Sequence, residues 1–288
     1  MLLRKNMIFV MIAIGALSVG CGGDEGDDNT GDATFTGKLV DFASKTGRKG
    51  VDLVVLDNDT GLPLDPATFP SFKSGDDGKI ELDLPKGIMV AFQATGQEDV
   101  AAPATPMKFQ KTYMFNIDSE SQGKRIYAVN TITYTTAPMT AGILVDKTKG
   151  ILAGTIYFKD PATEEEQFVG CATIEAIPAD GSSTDPQGDV RYFDPRNDLP
   201  ASLVNAQFTT TGLAGTSRYI IANLPEGQYK LVVKVDGVQV NPGANEVVLR
   251  SYPDSIAISN IYVTAPGDAT KNPTPARAEC TVDEADPM

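Results

Sequence analysis

The sequence predicts an all-β protein, two tandem β-sandwiches behind a leader and an acidic tether. Three observations predict it. From Thr34 onward, short apolar runs alternate with period two and are punctuated by Gly, Pro, Asp and Asn. No stretch keeps a 3.6-residue apolar stripe over a dozen residues. The same order of strand and turn signals appears twice, and 288 residues give length for about two domains.

The chain opens as an export signal. Arg4 and Lys5 make a charged start, and Met7 to Val19 form a 13-residue run without a charge. As a helix that run spans roughly 20 Å, short of the ~30 Å hydrocarbon core, which argues against a membrane span. Then come Leu17-Ser18-Val19-Gly20-Cys21 and the acidic Gly22-Gly23-Asp24-Glu25. These residues resemble the lipobox of bacterial lipoproteins. Gly20 and Cys21 match it, whereas Ser18 stands where such motifs usually carry Leu. The resemblance implies that Cys21 takes a diacylglyceryl group and becomes the first mature residue, anchoring the chain to a membrane. The alternative is ordinary secretion with a free Cys21.

Removing residues 1–20 takes two cations and no acid, leaving 22 cations against 38 acids, or −16. Residues 21–33 then form the tether; Gly22 to Ala33 hold five acids and four Gly, a composition unable to build a core. Twelve such residues reach roughly 20 Å as a flexible coil, so the folded part is expected close to its membrane. Gly22 and Gly23, with no Asp directly after Cys21, lean the sorting toward an outer membrane.

Strands are expected in the first half at Phe35–Asp41, Val51–Asp57, Lys79–Leu84, Ile88–Thr95, Thr112–Ile117 and Arg125–Tyr134. In the second half they are expected at Ile151–Lys159, Ala172–Ile177, Arg218–Asn223, Tyr229–Val235 and Ile256–Val263. Thr36-Gly37-Lys38-Leu39-Val40 is answered by Ala153-Gly154-Thr155-Ile156-Tyr157, and Gly50-Val51 by Gly170-Cys171-Ala172. Leu84-Pro85-Lys86-Gly87 is answered by Leu224-Pro225-Glu226-Gly227. In each, Pro fixes φ and Gly supplies a positive φ, which should return the next strand antiparallel. Asp76-Asp77-Gly78 should likewise close a tight hairpin.

This order is similar to the carboxypeptidase regulatory-like domains, small transthyretin-like or Cna-B-type sandwiches with an immunoglobulin-like outline. The resemblance covers roughly residues 34–95 and 148–236 and implies non-catalytic modules. The first half lacks the Tyr that usually follows Leu-Pro-x-Gly, and the second lacks a clean Asp-x-x-Gly hairpin. The expected domains are residues 34–147 and 148–264, followed by a tail at 265–288.

Residues 178–207 exceed a minimal sandwich, and long loops on rigid scaffolds often bind ligands. Tyr192 and Phe193 are therefore candidate ligand-binding residues; the alternative is that they pack on their own core. Residues 97–111 are a shorter case. Asp57-Asn58-Asp59-Thr60-Gly61 has the start of a calcium loop, but Thr68 stands where the distal carboxylate belongs, so a solvated turn is expected and no metal. Asp76/Asp77 and Glu164/Glu165/Glu166 read as exposed. A Lys–Asn isopeptide, known from some Cna-B-type domains, has residue types in Lys38, Glu81 and Asn130 but lacks the family's Glu placement.

With Cys21 assigned to lipid, Cys171 and Cys280 remain, and an exported chain lives where disulfides persist. Ala172, Ile174 and Ala176 suit an inward face, leaving Cys171 outward for a Cys171–Cys280 bond that pins the tail. The alternative is two separate thiols.

With 24 cations, 38 acids and a pI near 4.4, nucleic acid is not an expected partner. With no His, neither a Ser-His-Asp nor a Cys-His set can be built, nor a zinc site with imidazole ligands. No cofactor and no catalytic residue is expected. The functional expectation is a lipid-anchored, non-catalytic cell-envelope module that serves in binding or spacing, with an envelope protein or a polysaccharide as partner. Polysaccharide binding is the first alternative, weakened by the absence of Trp, and a carboxylate-only hydrolase the second.

Overall fold

The computed structural model describes residues 31–159, 166–194, 199–200, 217–235, 238–241 and 247–263, and they form an all-β protein with one short helix. The first half holds β1 (Asp32–Asp41), β2 (Asp52–Asp57), β3 (Phe72–Lys73), β4 (Lys79–Pro85), β5 (Met89–Gln97), β6 (Lys108–Asp118), β7 (Lys124–Ala128) and α1 (Thr131–Thr140). The second opens with β8 (Gly150–Lys159), β9 (Glu166–Phe168), β10 (Ala172–Pro178), β11 (Asp189–Asp194), β12 (Leu199–Pro200) and β13 (Arg218–Leu224). It closes with β14 (Gly227–Val235), β15 (Val238–Gln239), β16 (Val247–Ser251), β17 (Ile256–Ile258) and β18 (Ile261–Val263).

The repeat of signals is a repeat of topology. β1 pairs antiparallel with β4 and parallel with β7. β8 does the same with β13, β17 and β18. The antiparallel set β2-β5-β6 is answered by β10-β14-β16. The halves are mounted through opposite sheets: β2, β5 and β6 of the first join β8, β13 and β17 of the second in one 11-stranded sheet. The join is a parallel contact in which Ile256, Ala257 and Ile258 face Thr112, Tyr113 and Met114.

Three layers result. The β4-β1-β7 sheet covers one face of the shared sheet, and the sheet of β10, β14, β15 and β16 covers the other. Successive residues of shared strands enter opposite cores: Ile220 and Ala222 go to one, Tyr219 and Ile221 to the other, and Ile256 and Ile258 are split from Ala257. A strand buried on both faces reads as a continuous apolar run, as Tyr219-Ile220-Ile221-Ala222 does.

Both opening-strand glycines have a steric reason. A Cβ on Gly37 would lie 2.8 Å from the Lys124 carbonyl oxygen, and one on Gly154 would lie 1.7 Å from that of Ser259. In each half this is where the parallel last strand passes closest. In the second half the last strand breaks there, so the single strand expected over Ile256–Val263 is two, with Ser259 and Asn260 between.

Other expectations are corrected. Arg125–Tyr134 is not one strand: β7 stops at Ala128 and α1 begins at Thr131. Asn130 caps that helix, its Oδ1 accepting from the Thr133 N–H at 2.8 Å while its amide donates to the buried Asp41 Oδ1 at 2.9 Å. The Thr- and Ile-rich run after it has strand-like composition, and the cap decides. Asp77 is left-handed (φ 52°), as expected, but its turn leads from β3 to β4, which lie in different sheets. Both Leu-Pro-x-Gly turns also cross between sheets, β4 to β5 and β13 to β14. Gly87 has the expected positive φ of 69°, whereas Gly227, at φ 159°, is nearly extended. Asp32 and Ala33, assigned to the tether, belong to β1 and pair with Pro85 and Leu84. Among the described residues no helix is long and apolar enough to cross a membrane.

Candidate functional site

The site begins with a bulge. The β5–β6 register shifts between Val90 and Phe92, and Asn116 is left-handed at φ 59°. Asn58 holds it there: its Oδ1 accepts from the Asn116 N–H at 2.7 Å and its amide donates to Asn116 Oδ1 at 3.1 Å. Asn116 in turn donates to the Val248 carbonyl at 3.1 Å. β17 pairs with β6 only as far as Met114, after which β18 follows β8 instead. Where they part, a slot of about 610 Å³ opens, lined by Met114 to Ile117, Ser259, Asn260 and Tyr262, with Gln122 to Arg125 and Tyr127 from the β7 side.

One flank of the slot is an aromatic ladder. Phe168 on β9, Tyr157 on β8 and Tyr262 on β18 stand in cross-strand register. Their rings stack at 5.5 Å and 5.7 Å between centroids, tilted by 30° and 24°. Tyr262 ends the ladder on the slot side and is 40% exposed, between Ile261 and Val263, which are buried. Its hydroxyl donates to Glu166 Oε1 at 2.8 Å, which fixes the ring. Burial first, and that carboxylate second, push the Tyr262 phenol well above the usual range, so it stays a neutral donor. Burial also raises Tyr157.

The other flank is the edge of β7. Lys124 shares a face of that strand with the buried Ile126, so it is aimed between the layers, and Arg125 stands exposed at the rim. Among the described residues neither cation has an acidic partner within ion-pair distance. Asn116, Gln122 and Asn260 add amide groups. Glu166 is the one acid in the lining.

Sequence reasoning placed ligand contacts elsewhere, and the structure corrects it. Tyr192 and Phe193 are packed because β11 lies in the shared sheet: Tyr192 is 4% exposed and its hydroxyl accepts from the Ile174 N–H at 2.9 Å. Burial pushes its phenol up to about 12. Phe193, 8% exposed, enters the opposite core. Both are core residues. The ladder that was missed had one signal, an aromatic alternating with buried aliphatics in Ile261-Tyr262-Val263.

The remaining candidates are dispersed. Asp57 Oδ1 accepts from the Thr60 hydroxyl and N–H at 2.6 and 2.7 Å, and these bonds hold its carboxyl below the usual range. That turn docks on the second half, with the Asp59 carbonyl accepting from Arg250 Nη2 at 3.1 Å. Among the described residues no three metal-ligating side chains gather. Asp76 pairs with Lys49 at 2.8 Å and Asp77 with Lys38, while Glu81 pairs with Lys79 at 2.5 Å. Since Asn130 pairs with Asp41, the structure does not bring Lys38, Glu81 and Asn130 together. Glu164 and Glu165 lie outside the described residues.

Cys171 is half-buried and left-handed (φ 57°) at the head of β10, whose Ala172, Ile174 and Ala176 are buried as expected. Cys21 and Cys280 lie outside the described residues.

No known family's profile and no curated protein sequence matches the chain. Solved structures similar to it include the Bacillus anthracis TIE protein, at 11% identity and TM-score 0.21, covering 81% of this chain and 34% of that one. The shaft pilin SpaA of Lactobacillus rhamnosus GG is similar at 11% identity and TM-score 0.22, covering 82% of this chain and 99% of the pilin. A minor pilin of Streptococcus agalactiae is similar at 10% identity and TM-score 0.23, covering 82% and 98%. This chain thus spans about a third of the length of the first. Likeness at this level says nothing of activity.

Proposed function

We propose that this chain is a lipid-anchored, non-catalytic binding module of a bacterial cell envelope, whose ligand seats in the slot beside β7. The carrying observation is the slot's lining. It gathers aromatic, amide and cationic side chains but one carboxylate, Glu166, already engaged by the Tyr262 hydroxyl. Glycoside hydrolysis by carboxylates uses a pair, which disfavours the hydrolase reading.

Anchoring rests on Gly20-Cys21 and the leader before them. Two or three acyl chains, at about 0.8 kcal/mol per buried CH₂, hold where one does not. Asp32 enters β1 directly, so 10 residues, 22–31, separate the Cys21 anchor from the fold. An outer-membrane address and a Cys171–Cys280 bond pinning the tail belong to the same reading. Metabolic lipid labelling of wild type and Cys21→Ser tests it: label is expected on the wild type, in the outer-membrane fraction, and absence of label on both overturns the anchor. Thiol counts that stay equal before and after reduction overturn the bond.

A further inference from the structure

We propose that the slot binds an anionic polysaccharide, with one sugar ring on the free face of Tyr262 and a uronate carboxylate on Lys124. This rests on the slot being the binding site, as proposed above.

Three features of the slot select that chemistry. Tyr262 is the last ring of a stacked row, so one face lies on Tyr157 and the other is turned to the slot. It is held by its hydroxyl bond to Glu166 and needs little ordering on binding. A flat, pre-set aromatic face suits the apolar C–H side of a pyranose. Across from it, Lys124 and Arg125 lack acidic partners among the described residues of a chain of net charge −14. A cation aimed between layers, as Lys124 is, attracts a carboxylate, and Arg125 at the rim offers it a two-pronged contact. Asn260, with the second amide hydrogen and second oxygen lone pair of Asn116 and Gln122, whose amides are otherwise bonded within the protein, supplies donors and acceptors for hydroxyl groups. A slot of about 610 Å³ is the size of a small-ligand site and, open at its ends, admits a short stretch of chain.

The position fits an envelope glycan. Gln122, in the lining, donates to the Thr34 carbonyl, and Thr36 donates to Gln122 Oε1 at 2.7 Å. The slot therefore lies a few residues from where the chain enters β1 from its tether.

The test uses the full-length protein in detergent and calorimetric titration with three probes: an alginate hexasaccharide, neutral cellohexaose and an acidic glutamate hexapeptide. The alginate fragment is expected to bind, more weakly as salt rises, with cellohexaose at least about tenfold weaker and the peptide not binding. Tyr262→Ala and Lys124→Gln should each weaken alginate binding by about tenfold or more, while Tyr262→Phe, which keeps the ring, should retain most of it. Lys124→Gln is a half-exposed change at a strand end, so it keeps the test sound if Tyr262→Ala fails to fold. No alginate binding overturns the proposal, as does alginate binding that neither variant alters. Equal binding of cellohexaose, lost in Tyr262→Ala, overturns the anionic class and leaves the slot as the site. Preference for the peptide overturns the glycan.

Discussion

At the scale of single residues, Gly154 and the fully buried Tyr219 meet at the point where a last-strand carbonyl passes close to β8. A Cβ at Gly154 would meet the Ser259 carbonyl at 1.7 Å and the Tyr219 hydroxyl at 3.0 Å. Since that carbonyl belongs to the backbone joining β17 to β18, relief requires moving a strand. Gly154→Ala is expected to cost about 1–3 kcal/mol or more, and Gly37→Ala, meeting Lys124 at 2.8 Å, less; denaturant midpoints rank them. Tyr219 is fully buried and donates to the same Ser259 carbonyl at 2.9 Å. Burial raises its phenol far above the usual 10.0, and raises Tyr113, Tyr134 and Tyr192 as well. A raised folded pKa favours the protonated form in the native state. Its stability contribution is therefore whole below pH 10 and is lost as pH rises through the folded value. Phenolate absorbance from these tyrosines is expected to appear together with unfolding on alkaline titration; smooth phenolate formation in a protein that stays folded would sink this account.

At the scale of elements, Asn130 decides between strand and helix. It caps α1 and also donates to Asp41, which is 1% exposed and whose other oxygen accepts from the Ser44 N–H at 2.8 Å. Asn130→Ala removes the cap, worth about 1 kcal/mol, and takes a partner from a buried carboxylate, about 1–3 kcal/mol more. Asn130→Asp keeps the cap but sets two carboxylates together, and is expected to be no better at neutral pH. Chemical denaturation of the two variants checks both. Elements whose burial is local were legible: the strands around Gly37 and Gly154 follow from alternation, and the positive φ of Gly87 from turn chemistry, whereas the sheet change at both Leu-Pro-x-Gly corners did not. Two-sided burial was written in Tyr219-Ile220-Ile221-Ala222 but was read only as strand, because a run does not say what covers its second face. β16 and the join of β17 to β6 escaped notice for a related reason. Ile256 and Thr112 meet across 144 positions, and pairing that distant leaves no local signal. The slot is the consequence of that join ending early, so only Tyr262 hinted at it.

At the scale of the whole molecule, the two halves should behave as one thermodynamic unit although the sequence repeats like two. Each half's shared-sheet strands help bury the other's residues: both cores mix the halves, one containing Phe92 with Ile151 and Ile256, the other Tyr113 with Leu249. Tyr252 stacks on Tyr113 at 4.5 Å and donates to the Gly61 carbonyl at 3.2 Å, and Gln110 donates to the Asp254 carbonyl. A first half made alone would expose the edge at Thr112, Tyr113 and Met114, an unpaired strand flanked by apolar residues and prone to association. The intact protein is therefore expected to melt in one calorimetric transition whose van't Hoff and calorimetric enthalpies agree. Tyr252→Ala removes a half-buried ring and an inter-half hydrogen bond. It should lower that single midpoint, by an amount on the order of 2 kcal/mol, without dividing the transition. Two resolved transitions in the wild type would mean that the shared sheet does not couple the halves. Division appearing only in Tyr252→Ala would assign the coupling to that contact instead of the sheet.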